Sequence, residues 1–203
     1  FGVSYRLLNK DTAKSIWEEL KPTVGMNHPA RFALVELVNL HDPSLKFEAI
    51  HRVMFNVGEE FGDLVTKFFE SNFKFHFVGN FQEMKELVLE RESEKQCFGM
   101  ISKGGYSVVE LTAPKCNLTV GSIQEFLDIY LKENSDADID YVHGEDILEK
   151  LSKEPGNLGF YLPPIKKDNF FKSVILDGSL PRKTFSMGHA KDKRFYLEAR
   201  RII

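Results

Sequence analysis

At 203 residues, with 42% hydrophobic and 28% charged residues, the chain is long enough to bury a sizeable core and excludes a disordered class. A net charge of −3 disfavours nucleic acid as a partner, and no apolar run approaches the roughly 20 residues needed to cross a bilayer. Two cysteines, Cys97 and Cys116, lack metal-ligand spacing and fit a reducing, cytoplasmic compartment, and the scattered histidines suggest no metal site. Eighteen phenylalanines against one Trp and six Tyr point to an aromatic-rich core rather than a base-stacking surface.

In chain order, Phe1-Gly2-Val3 has neither a starting Met nor the pattern of a signal peptide, which suggests a trimmed or partial product. Asp11 is placed to cap a helix bearing Ala13, Ile16, Trp17 and Leu20, stopped by Pro22. Arg31–Leu40 is apolar almost throughout and reads as a central strand covered on both faces. Leu45–Phe55 alternates, putting His51 on an apolar face and Arg52 on a charged one. Phe61, Leu64, Val65, Phe68 and Phe69 recur at helical spacing. After a short strand at Lys74–Val78, Asn80 and Glu83 form a capping-box variant ahead of a helix.

Gln96–Ser102 and Tyr106–Thr112 flank Lys103-Gly104-Gly105, a hairpin signal. Leu111–Gly121, with Pro114 and Gly121, is the weakest joint and a candidate division between subdomains. Ser122 and Glu125 predict the start of another helix. Further strands are expected at Ile139–Val142, Leu158–Leu162 and Arg194–Ile202, with short helices at Glu145–Leu151 and Asp168–Leu176. The fold class is α+β, a mixed sheet with an antiparallel hairpin and helices packed on it, formed by one unit over residues 1–203.

Phosphate-loop, dinucleotide-binding and nucleophile-elbow motifs are absent. The candidates are therefore residues suited to an anion. Arg52 can hold a carboxylate or phosphate through two parallel hydrogen bonds, or pair with a glutamate across the sheet. His51 is either a core histidine or a ligand-binding one. His143, in Asp140-Tyr141-Val142-His143-Gly144, precedes a helix N-terminus, where it either lines a turn or donates to an anion. Pro181–Ser186 gathers Arg182, Lys183, Thr184 and Ser186 in six residues, combining charge with directional donors. From Pro181 onward the chain carries +5, leaving −8 in everything before it.

Several segments resemble, in order, the family called domain of unknown function 1015. They are Phe32–Leu40 with Asp42-Pro43, then His51-Arg52, then Leu158-Gly159-Phe160-Tyr161-Leu162-Pro163-Pro164. The last is Leu180–Gly188 running into Arg194–Ala199. The resemblance runs from about Ala13 to the end and implies the C-terminal portion of a longer bacterial or archaeal protein. It also implies a remote relationship to ParB-like proteins and to a free-serine kinase. The family's Asp-Gly-His/Asn-His motif, expected ahead of residue 11, is missing from Tyr5–Asp11, so its role transfers to no residue here.

Two functions follow as expectations. One is part of a phosphate- or nucleotide-dependent small-molecule enzyme, kinase-like, with a small anionic ligand and no assigned cofactor. The other is a non-catalytic ligand- or partner-binding module related to ParB-like proteins.

Overall fold

Six strands hydrogen-bond into one antiparallel sheet, and their side chains alternate between two separate apolar layers. The structure, a computed structural model, describes residues 2–4, 10–32, 36–58, 61–70, 72–178 and 180–188. The chain divides into two compact units, Phe1–Leu45 with Lys193–Ile203, and Lys46–Asp192. Residues 111–121 lie inside the second.

In the first unit, β1 (Gly2–Ser4) pairs antiparallel with β2 (Glu36–Val38), and α1 spans Lys10–Val24. Asp11 therefore lies inside the helix rather than capping it. Pro22 also lies inside it, in the last turn, where its missing N–H removes one bond of the ladder just before the helix ends. The helix ends two residues later at Val24, followed by Gly25, whose φ of +75° only glycine adopts cheaply and whose N–H closes on Lys21 O at 3.2 Å. The expected central strand at Arg31–Leu40 is corrected. Pro29–Arg31 is a 3-10 turn, and β2 is three residues long and pairs with β1, outside the six-stranded sheet.

The second unit begins with β3 (Phe47–Ala49) and β4 (His51–Phe55). Alternation predicts one strand here, but the chain breaks at Ile50. β3 pairs with β10 (Phe185–Met187), while β4 joins the large sheet. There follow α2 (Phe61–Phe68), β5 (Phe73–Val78), α3 (Phe81–Arg91), β6 (Gln96–Ser102), β7 (Gly105–Leu111) and α4 (Thr119–Glu133). Then come β8 (Asp138–Val142), α5 (Glu145–Ser152), β9 (Leu158–Tyr161) and α6 (Lys167–Asp177). The strand order is β5-β7-β6-β9-β4-β8. The mixed α/β class holds, but every ladder described is antiparallel, where strand–helix alternation predicts a mixed sheet.

One layer packs α2 and α4 against Met54, Phe98, Val109 and Phe160. The other packs α3 and α5 against Val53, Ile101, Val108 and Tyr161. Each fully buried aliphatic or aromatic side chain contributes about 1.5–3 kcal/mol. The hairpin turn is Lys103-Gly104, closed by the Ser102–Gly105 pair. The Asn80 cap is formed as expected: its side chain accepts from Glu83 N at 2.9 Å, and Glu83 accepts in return from Gly79 N. The Ser122 box is not. α4 starts three residues earlier, and the buried Ser122 hydroxyl donates to Gln96 Oε1 at 2.8 Å. The strand expected at Arg194–Ile202 lies outside the described residues.

Candidate functional site

The break at Ile50 fixes what Arg52 can do. With β8 and β9 hydrogen-bonded on either side of β4, and α4 packed on the same layer, Arg52 points into the interior and is 0% exposed. The expectation of a charged, open face there is corrected. Its fork is spent on three neutral acceptors from three segments. Nε donates to Gln124 Oε1 at 3.2 Å, one terminal nitrogen donates to Ile50 O, and the other to Arg182 O at 3.3 Å. Burial, with a smaller contribution from the Arg182 charge, lowers its pKa to about 10 against the opposing pull of Tyr141 and Asp128, so it stays charged at neutral pH.

Neighbouring elements supply the remaining groups. Tyr141 lies directly opposite Arg52 on β8, its ring centroid 5.2 Å from the Arg52 guanidinium carbon. Gln124 and Asp128 sit one turn apart on α4, and Gln124 Nε2 donates to Asp128 Oδ1 at 2.9 Å. The same oxygen accepts from Arg182 at 2.7 Å, and the Arg182 guanidinium carbon lies 5.7 Å from the Tyr141 centroid. This Arg182–Asp128 pair is open to solvent, its side chains 60% and 43% exposed.

The turn bearing Arg182 is held at both ends. Leu180 packs on the α2/α4 layer, and Phe185 stacks on Phe47 at 4.2 Å with Phe170 edge-on at 5.6 Å. Lys183 is exposed at a φ of 53°, a left-handed conformation costing a non-glycine residue about 1–2 kcal/mol. The buried Thr184 hydroxyl donates to Pro181 O, and the buried Ser186 hydroxyl to Gly188 O at 3.3 Å. Both hydroxyls thus bond within the turn segment itself.

His51 faces the other layer. It is 4% exposed, its ring stacks on Tyr161 at 4.8 Å, and Nδ1 accepts from Leu162 N at 3.1 Å. Burial, then the charges of Arg52, His143 and Lys85, pushes its pKa down to about 3, leaving it neutral. Nearby Lys85 pairs with Glu145 at 2.7 Å, at the start of α5. The structure thus brings Arg52 to the turn of Arg182, on which Lys183 is exposed, and leaves His51 with His143 on the other face. Gln124, Asp128 and Tyr141 escaped the sequence reading. Their signal was slight: two polar residues four apart beside an apolar helical stripe, and a tyrosine beside the better-noticed His143.

A cavity of about 320 Å³ lies under α2, lined by Phe61, Phe69, Phe73, Phe75 and Phe98, with no charged side chain among the described residues. It is separate from the arginine cluster. Among the described residues, no group of His, Cys, Asp and Glu could hold a metal ion, and no helix is long and apolar enough to cross a membrane.

An antiparallel sheet with helices on both faces and a buried arginine beneath a basic turn defines an α+β protein with a cationic cluster. The chain belongs to the family described as protein of unknown function (DUF1015), whose model matches residues 10–130. That match includes His51-Arg52 and Asp128, whereas Leu158–Pro164 and Leu180–Gly188 lie beyond it. No curated protein matches. Among solved structures, a mutant free serine kinase in complex with AMP has a similar fold, with a TM-score of 0.55 and 11% identity. The likeness covers 90% of this chain and 82% of that one.

Proposed function

We propose that the chain carries the phosphoanion site of a phosphate- or nucleotide-dependent small-molecule enzyme, kinase-like in chemistry. Arg182 and Lys183 contact the anion in this reading, and Arg52 acts through them as a positioning residue. Thr184 shapes the turn, while His51 and His143 stay outside the site. One observation carries the proposal: Arg52 is a fully buried cation bonded only to neutral acceptors. Buried charges are ordinarily paired. Here Asp128 stands between two arginines and hydrogen-bonds to the exposed one, so the cluster keeps a surplus of positive charge.

Phosphoryl transfer asks a protein chiefly for positioning and charge stabilisation, which an exposed arginine and lysine on a braced turn supply. The like fold of a kinase in complex with AMP supports the same reading.

Thermal-shift measurements on the full-length protein with phosphate, pyrophosphate, AMP, ADP and ATP test it. At least one should raise the melting temperature, with a gain of about 2.7 kcal/mol expected at a hundredfold excess over Kd. The double variant Arg182→Ala, Lys183→Ala should lose that shift. A flat response across the series overturns the proposal. Binding without any phosphoryl transfer would point instead to a non-catalytic ligand-binding module.

A further inference from the structure

We propose that Tyr141 is a ligand-contacting residue of this site, its hydroxyl donating a hydrogen bond to an oxygen of the bound anion. The inference rests on the anion site proposed above and adds a neutral donor to its charged ones.

It starts from an unpaired proton. The Tyr141 hydroxyl is buried, the Arg182 guanidinium can donate to its oxygen, and among the described residues its proton has no acceptor. A phenol has one proton to give and lone pairs to receive with. Its close neighbours, Arg52 and Arg182, offer N–H donors alone. Any approach by either guanidinium can use the oxygen's lone pairs and never its proton. Asp128, the nearby acceptor, takes its hydrogen bonds from Gln124 and Arg182 instead. The proton therefore lies beside two cations with nothing to receive it.

An oxyanion resolves both deficits at once, accepting the phenol proton and neutralising the surplus charge. A way in exists because Arg182 is on a surface turn and its bond to Asp128 is solvent-exposed. Exposed pairs of that kind are weak, so an anion can draw Arg182 away at little cost. Tyr141 itself is held in place by its register opposite Arg52 on β8.

The test is Tyr141→Phe in the full-length protein, which keeps the ring beneath the guanidiniums and deletes the hydroxyl. Inorganic phosphate is titrated calorimetrically against wild type, Tyr141→Phe and the Arg182→Ala, Lys183→Ala double variant. Because the hydroxyl's proton has no acceptor and the exposed Arg182 can turn to water, its removal leaves the ligand-free melting temperature within a degree or two of wild type. Phosphate affinity should fall about tenfold, the loss of one hydrogen bond to a charged acceptor. Undiminished affinity in Tyr141→Phe, together with loss in the double variant, overturns the role of Tyr141 and leaves the anion site standing. A ligand-free melting temperature lowered by several degrees also overturns it, because the hydroxyl then has a structural partner. No phosphate binding by wild type overturns both.

Discussion

Two buried charges on this sheet are satisfied in opposite ways. Glu110, on β7, is a buried carboxylate held between two cations, Lys95 Nζ at 2.7 Å and Arg91 at 3.0 Å. Those partners reach in from half-exposed positions, so the cations keep much of their water while the carboxylate is fully matched. Hydrogen bonding by Lys95 holds the Glu110 carboxyl below its usual range. Arg52 is the reverse, a buried cation whose own bonds all go to neutral oxygens. The first cluster is electrostatically closed and ties α3 to the sheet. The second is left open beneath an exposed arginine and lysine. A buried charge by itself therefore says little about function; the sign and solvation of its partners separate a brace from a binding site.

The largest effect should come from Arg52→Met, which strips three buried or half-buried acceptors of their donor. Urea unfolding should report a loss of about 3 kcal/mol, with Arg52→Lys intermediate because a point charge cannot serve three acceptors at once. If Arg52→Met is neutral, the arginine does not brace the turn.

Glu110→Gln should cost less, about 2 kcal/mol, since its cations can return to water. That loss should vanish in strong acid. A carboxyl with a depressed folded pKa stabilises above its unfolded pKa and ceases to as pH falls through the folded one.

A smaller, pH-dependent effect belongs to His51. Its folded pKa of about 3 lies below the ordinary 6.5, so the unfolded chain takes up a proton that the folded chain refuses. Stability is full above pH 6.5 and falls as the solution is acidified toward pH 3. The loss is about 1.4 kcal/mol at pH 5.5. His51→Asn, which keeps an acceptor for Leu162 N, should flatten that part of the stability–pH profile by one proton. An unchanged slope would mean that His51 is protonated in the fold.

Much of the fold was legible because its signals are local. The α3 cap at Asn80, the Lys103-Gly104 turn and the α2 stripe depend on residues close in sequence, and each forms where its pattern predicts. The α4 start was misread because Ser122 bonds to Gln96 across 26 positions, a partner that no local pattern reveals. The site was half legible. Arg182 and Lys183 stood out as charge, whereas Asp128 and Tyr141 became relevant once α4 and β8 had brought them to Arg52.

By itself, then, the sequence determined the α+β class, most helices, the Lys103-Gly104 hairpin and the basic turn at Pro181–Ser186, because periodicity and turn chemistry act over a few residues. Tertiary structure alone decided that the strand breaks at Ile50 and that Arg52 is buried. It also brought 52, 124, 128, 141 and 182 together. The physical reason is that burial depends on which element covers a face. Whether Arg52 meets water or Gln124 was settled by the packing of α4, 72 residues away along the chain.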